Sequence, residues 1–402
     1  MLKKSKPFNF YFSNIKGHKK NIRKTKHAYK EFLKELNNDS LPLLNSYNSN
    51  YISDFSRKTI NKFLSYKNLI IIGMGGSILG AKSIYSFLGH KTKKKVFFFD
   101  NLDLNINQNY KKIKNLNNSC FVVISKSGNT LETIANLGSI FSKKIFKNKL
   151  IIITEFKDSA LMHLANKFNA EIIEHKEFIG GRYSVLSEPG MFPAALMGLN
   201  IKKFRNLKSL LKNKSFVSSL IQNVSFIYTL SLKKINNSVI LNYYSGLNDL
   251  SYWYQQLVAE SLGKKGKGIN PIVSFGPKDH HSLLQLYLDG PRDKFFTFMH
   301  SLENERNFSL SNDVVTENMK NIKNKKLSFI INAQLQATIN VFRSKKIPFR
   351  QILFKKRNER ELGNIFTFFV LETILLSKLM KVNPFDQPAV EEVKIKTKKY
   401  LR

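Results

Sequence analysis

The chain has a single cysteine, few acidic residues and no long apolar run, and each shortage narrows what it can be. The lone thiol, Cys120, cannot close an internal disulfide or build a cysteine-ligated zinc site, and this usage agrees with a reducing compartment. Apolar stretches such as Asn68-Leu-Ile-Ile-Ile-Gly73 and Phe366-Thr-Phe-Phe-Val-Leu371 are far shorter than the roughly 20 residues a bilayer span needs, so no membrane partner is expected. The first thirty residues are rich in lysine and lack the apolar core and small-residue cleavage site of a secretory signal, which makes a cytoplasmic location the expectation. Only 28 Asp and Glu stand against 66 Lys and Arg, a formal net charge of +38. Such a field attracts nucleic acid, acidic lipid and phosphorylated metabolites alike. The lysines are nevertheless scattered as Lys-Lys and Lys-Asn pairs among many Ile and Asn, which reads as compositional drift. Zinc-finger spacing, a helix-turn-helix signature and RNP-type aromatics are all missing, so no specific nucleic-acid partner is expected.

What the chain does have is 402 residues, enough for two to three domains, and a regular alternation. Short runs rich in Ile, Val and Phe alternate with longer amphipathic stretches, the pattern of parallel strands joined by crossover helices. The fold class is therefore α/β. Strands are expected at Leu69–Ile72, Val96–Phe99, Phe121–Ile124, Leu150–Ile153 and Glu171–Glu174. After a helical stretch near Phe216–Lys233, a second series is expected at Val239–Tyr243, Ile272–Phe275, Lys294–Phe298, Leu327–Ile331 and Phe349–Phe354. Two doubly wound parallel sheets in tandem account for this. The expected division is a basic, helical segment over 1–45, a first sheet domain over 46–200, a second over 201–382, and a final helix over 383–402 that returns to the body.

Two strand-to-helix turns carry the first chemical signals. Gly73-Met74-Gly75-Gly76-Ser77 ends a strand in glycines, which bare backbone N–H groups to an anion, with Gly76 and Ser77 as the candidate contacts. The same turn suits a dinucleotide fold, with Asp100 after the next strand, or a tight turn with no ligand. The second turn, Ser125-Lys126-Ser127-Gly128-Asn129-Thr130, replaces glycines by hydroxyls. Ser125, Ser127 and Thr130 can donate to phosphate oxygens at a helix N-terminus, and Lys126 adds positive charge. Each hydroxyl alone is an ordinary helix cap. Together, at the carboxyl end of a parallel strand, they indicate a phosphate-ester site, and the lack of a Gly-x-x-x-x-Gly-Lys-Ser/Thr loop argues against ATP.

A Ser-Lys-Ser-Gly-x-Thr turn of this kind resembles those of sugar isomerase (SIS) domains. Four further segments narrow the likeness: Gly180-Gly181-Arg182-Tyr183-Ser184, Gln256-Leu-Val-Ala-Glu260-Ser261-Leu262-Gly263-Lys264, Gly276-Pro277-Lys278-Asp279-His280-His281, and Phe385-Asp386-Gln387 followed seven residues later by Lys394. With the two turns they resemble the glucose-6-phosphate isomerase family over most of the chain. The phosphate turn departs from many relatives, having Ser127-Gly128-Asn129 where they carry threonines and an aromatic residue.

The resemblance implies two flavodoxin-like SIS domains and cofactor-free interconversion of D-glucose 6-phosphate and D-fructose 6-phosphate through a cis-enediolate, in glycolysis and gluconeogenesis. It implies that Glu260 shuttles the proton between C2 and C1, that Arg182 stabilises the enediolate, and that Gln256 and Gln387 contact the substrate. His281 would open the sugar ring with help from Lys394. A homodimer is implied, with His281 supplied by the partner subunit. By residue type alone Glu260 is a solvated glutamate, Arg182 a loop arginine and Lys394 one of several lysines on a basic helix. A metal on the adjacent His280 and His281 is not expected, since neighbours on a helix point apart and no carboxylate or cysteine completes a site.

Overall fold

Ten strands among the described residues, 9–12, 17–140, 146, 148–302 and 308–401 of a computed structural model, form two five-stranded sheets. In the first, β2 (Asn68–Gly73), β3 (Lys95–Phe99), β4 (Ser119–Ile124), β5 (Leu150–Thr154) and β6 (Glu171–Glu174) lie parallel in the order β3-β2-β4-β5-β6. β2, β4 and β5 are buried along their whole length, which is why they read as unbroken apolar runs. The chain leaves β2 for one neighbour, β3, and returns on the other side as β4. The crevice between the carboxyl ends of β2 and β4 is therefore the place where such sheets bind ligands.

The second sheet repeats this winding. β7 (Asn237–Asn242), β8 (Asn270–Phe275), β9 (Lys294–Ser301) and β10 (Phe349–Phe354) are parallel, and β1 (Asn9–Phe12) closes the edge antiparallel to β10, giving β1-β10-β9-β7-β8. The strand β1 lies in the segment expected to be helical. That segment does also hold a helix, α1 (His18–Asn37).

The helices that frame the core and the site are α2 (Gly76–Leu88), α3 (Leu131–Ile140), α4 (Lys214–Ser231), α5 (Asn248–Leu262), α6 (Leu327–Ser344), α7 (Glu359–Met380) and α8 (Pro388–Tyr400). The expected strand at Leu327–Ile331 is instead the first turns of α6. A five-residue stretch with four apolar residues fits either state, and here the deciding period lies downstream: Leu335, Thr338, Ile339 and Phe342 are buried at helical spacing. α7 is long and apolar enough to cross a membrane by length and composition, yet 83% of its apolar window is buried inside the protein, as befits a core helix. α8 has no buried residue, so the final helix leans out from the body instead of returning to it.

One apolar cluster runs from Ile71 and Val122 of the first sheet through Trp253 and Leu257 of α5 to Phe366 of α7 and Ile352 of the second sheet. α5 is thus wedged between the two halves, and truncating Leu257 to Ala would cost about 2–5 kcal/mol. Gln256 and Glu260 are only half buried, on the side of α5 that escapes this core.

Candidate active site

The glycine turn after β2 is a meeting point. Gly75 holds φ +51°, and a Cβ on it would lie 2.8 Å from Gln256 Nε2 of α5. A Cβ on Gly76 would fall 2.2 Å from the carbonyl carbon of Gly181. Only glycines let the β2 turn, the Gly180-Gly181-Arg182 loop and α5 come this close. Ser77 is half buried in the first turn of α2, its amide bonded to Met74 O at 3.1 Å.

Beside it, Gly73 pairs with Ile124, the residue before the hydroxyl-rich turn. In that turn Ser125 Oγ lies 2.7 Å from Thr130 Oγ1. Gly128 holds φ +68°, and a Cβ there would strike Ser159 Oγ at 2.2 Å, so both the conformation and the space call for glycine; Ser127 Oγ accepts the Asn129 amide at 3.2 Å. The two turns anticipated from sequence thus flank the β2/β4 crevice. Lys126 points elsewhere. Its ammonium donates to Glu177 O at 2.6 Å and lies 3.5 Å from Glu155 Oε1. The turn therefore offers an anion its hydroxyls and backbone amides, while the lysine charge is shared with Glu155. Next to this pair, burial pushes the His175 imidazole down to about 4 and keeps it neutral.

Glu260 is held at both carboxylate oxygens. Gln256 Nε2 donates to Oε1 at 2.9 Å, the i,i+4 contact expected of one helix face, and Arg182 Nη1 donates to Oε2 at 3.2 Å. Gln256 Oε1 is buried with no hydrogen-bond partner among the described residues, an open acceptor beside the carboxylate. The Glu260 side chain is 32% exposed and opens on a cavity of about 480 Å³ that Gln256, Lys82, Asp100 and Asp249 also line.

Arg182 is 3% exposed and spends all five of its N–H donors on protein acceptors. Nε donates to Ser261 Oγ at 2.9 Å. Nη1 donates to Glu260 and, at 2.9 Å, to Gln387 Oε1. Nη2 donates to Pro384 O and, at 3.1 Å, to Asp386 O. Tyr183 OH, also at Ser261 Oγ, donates to Pro384 O at 3.0 Å, and Lys264 pairs with Asp386 Oδ1 at 2.7 Å. The hydrogen bond from Lys264, and then its charge, hold the Asp386 carboxyl below the usual carboxylate range. These contacts clamp the segment Asn383–Gln387 onto α5. Ser261, Tyr183 and Lys264 hold this clamp without having been singled out by their sequence, although each sits inside one of the motifs.

The glycine turn that touches Gln256 and Gly181 is the neighbour of the candidate phosphate turn in the sheet, and comparison with known proteins agrees with what this suggests. Residues 47–279 match the model of the family described as phosphoglucose isomerase. A Methanocaldococcus jannaschii protein named glucose-6-phosphate isomerase is 35% identical over 345 residues, covering 82% of this chain and 83% of that one. The chain belongs to the phosphoglucose isomerase family. A Campylobacter jejuni protein of the same name is 29% identical over 353 residues, covering 83% of this chain and 85% of that one. Among solved structures, a glucose-6-phosphate isomerase from Chlamydia trachomatis superposes with a TM-score of 0.80 at 17% identity, covering 99% of this chain and 89% of that one. A hypothetical protein of Thermus thermophilus reaches 0.84 at 21% identity, covering 98% and 100%. At these identities the superpositions speak for the fold.

In this phosphoglucose isomerase family member, the Glu260 carboxylate is bonded by Gln256 and Arg182 and not by His281 or Lys394. His281 is exposed at the end of the turn Lys278–His281 that follows β8. Its neighbour His280 turns inward, with Nε2 2.6 Å from Tyr243 OH, and burial and then the adjacent His281 keep it below the usual histidine range. The turn is stiff. Asp279 Oδ2 accepts Phe275 N and Ser274 Oγ, each at 2.7 Å; burial pushes this carboxyl up, but these hydrogen bonds prevail and hold it below its ordinary value. Lys394 is exposed on α8 and pairs with Glu391 at 2.6 Å. Among the described residues no group of three or more His, Cys, Asp or Glu is placed to hold a metal ion.

Proposed function

We propose that the chain interconverts D-glucose 6-phosphate and D-fructose 6-phosphate. The observation that carries this reading is the convergence of Gln256, Glu260, Arg182 and Gln387 on one pocket beside the β2/β4 crevice with its hydroxyl-rich turn. Ser125, Ser127, Thr130 and the Gly76 and Ser77 end of α2 anchor the phosphate and nearby hydroxyls. Gln256 Oε1 accepts a sugar hydroxyl.

In the open-chain aldose, the Glu260 carboxylate takes the proton from C2 as the C1 carbonyl gains electrons, giving an enediolate; the C2 hydroxyl proton passes to O1, and Glu260 returns its proton to C1 as the carbonyl forms at C2. One base on one face suffices. Its bonds to Gln256 and Arg182 fix its direction before substrate arrives. An enediolate oxygen can receive an Arg182 N–H only by displacing one of that residue's present acceptors, and Glu260 and Gln387 share the donor nearest the reaction. There the guanidinium offsets the developing charge.

Ring opening belongs to His281, supplied by a second copy of the chain, with Lys394 assisting. The reading of a homodimer is supported by the exposure of His281, which makes no hydrogen bond to Glu260 of its own chain, and by the apolar Val393 and Ile395 that α8 leaves uncovered. The setting we propose is the cytoplasm. A coupled assay of glucose 6-phosphate formed from fructose 6-phosphate tests the proposal, and a native protein that binds the sugar phosphate without turnover would instead be a sensor.

A further inference from the structure

The reaction gives no role to a buried polar cluster between the second sheet and its helices. Arg350 on β10 and Glu372 on α7 are both fully buried and pair at 2.6 Å. Arg350 Nε donates to Thr297 Oγ1 of β9 at 2.8 Å, Nη1 to Asn223 Oδ1 of α4 at 2.8 Å, and Nη2 to the Tyr254 hydroxyl of α5 at 3.0 Å. The Tyr254 hydroxyl in turn donates to Glu372 Oε1 at 2.8 Å. Five elements therefore meet at one charge pair.

Stability gives a poor reason for such a cluster. Removing both ions from water costs about as much as their attraction returns, and well-packed apolar replacements are often as stable or more so. What apolar packing does poorly is choose between close alternatives, since a greasy helix face can turn or slide at small cost. Directional bonds choose. α5 has one at each end of its working stretch: Tyr254 reaches Glu372 and Arg350, and Ser261, two turns later on the same face, receives Arg182 Nε. Gln256 and Glu260 lie between these two anchors. A small error in the rotation of α5 moves the Glu260 carboxylate by a distance that matters to proton transfer.

We infer that Tyr254, held by the Arg350–Glu372 pair, is a positioning residue that sets the rotation of α5 and so aims Glu260 and Gln256. The inference rests on the reading of Glu260 as the base.

The test compares wild type, Tyr254→Phe and Thr297→Val by initial rates with fructose 6-phosphate and by thermal unfolding. Tyr254→Phe keeps the ring, whose centroid lies 4.3 Å from that of Phe369, and loses only the hydroxyl. Thr297→Val removes another acceptor of the same arginine without touching α5. The expected result is a kcat lowered about tenfold in Tyr254→Phe with KM within about twofold of wild type, while Thr297→Val keeps wild-type kcat despite a similar fall in Tm. A Tyr254→Phe protein with lowered Tm and wild-type kcat would overturn the inference, and so would equal losses of kcat in both variants. An inactive wild type would instead overturn the reading of Glu260 and take this inference with it.

Discussion

Arg182 donates a 2.9 Å hydrogen bond from Nη1 to Oε1 of Gln387, which lies 205 residues further along the chain. The same nitrogen donates to Glu260, so one guanidinium ties a loop of the first half, a helix of the second and the C-terminal segment. A lysine could not do this, because a single ammonium cannot present donors to Ser261, Glu260, Gln387, Pro384 and Asp386 from one plane. Arg182→Lys is therefore expected to lower kcat/KM by about a hundredfold and to expose the chain after Pro384 to limited proteolysis. Near-normal turnover with an intact C-terminus would show that the fork is dispensable.

Glu260→Gln preserves the shape of the side chain and its place beside Gln256 while removing the base. A fall in kcat of about a thousandfold, with KM for fructose 6-phosphate little changed, is the expected outcome. Full activity would move the proton transfer to another group.

Ser125 and Thr130 hydroxyls bond each other at 2.7 Å, and a phosphate dianion would replace that mutual bond with two charge-assisted ones. Removing one such donor costs about 1.5–3 kcal/mol, so Thr130→Val should raise KM about ten- to a hundredfold and weaken competition by inorganic phosphate in step, with kcat nearly intact. If KM holds and kcat falls, the turn serves the chemistry instead of the anchor.

A site shared between two copies makes a sharper forecast. When Glu260→Gln and His281→Ala chains are mixed by co-expression, half of the dimers pair one of each, and each such dimer assembles one site with both lesions and one with none. About a quarter of wild-type activity should return, although neither parent is active. Sites built within single chains would leave every site with a lesion, and the mixture would stay inactive.

Much of this is legible from local pattern. The runs Leu69–Ile72, Phe121–Ile124 and Leu150–Ile153 can be read as central parallel strands because burial on both faces leaves no room for alternation, and the structure puts all three there. The run Leu327–Ile331 fails the same test because four apolar residues in five do not reveal a period, and its helix buries residues only from Leu335 onward. The strand β1 is hidden in a lysine-rich segment, being four residues long and held by pairing with β10. In the pocket, spacing alone can place Gln256 and Glu260 on one helix face. Nothing in composition or spacing brings Arg182 to Gln387, and only the family resemblance names them together. Nor can sequence foresee that the Lys126 ammonium turns to Glu177 and Glu155.

His175 gives a pH dependence that belongs to folding and not to the reaction. Its side chain is buried, Nδ1 lies 3.2 Å from Lys176 O, and Nε2 has no partner among the described residues. Burial lowers its folded value to about 4, whereas in the unfolded chain it returns to about 6.5. Between these values the unfolded chain binds a proton that the folded chain refuses. The stabilising effect of keeping this group neutral is therefore complete above about pH 6.5 and drains away as the pH falls toward 4, by an amount on the order of 3 kcal/mol. Urea unfolding at pH 7 and at pH 5 measures it: wild type should lose stability over that interval, and His175→Leu, which has nothing to protonate there, should lose less. Equal losses in the two proteins would place the acid sensitivity elsewhere, with His300, which burial also lowers to about 4, as the next group to replace.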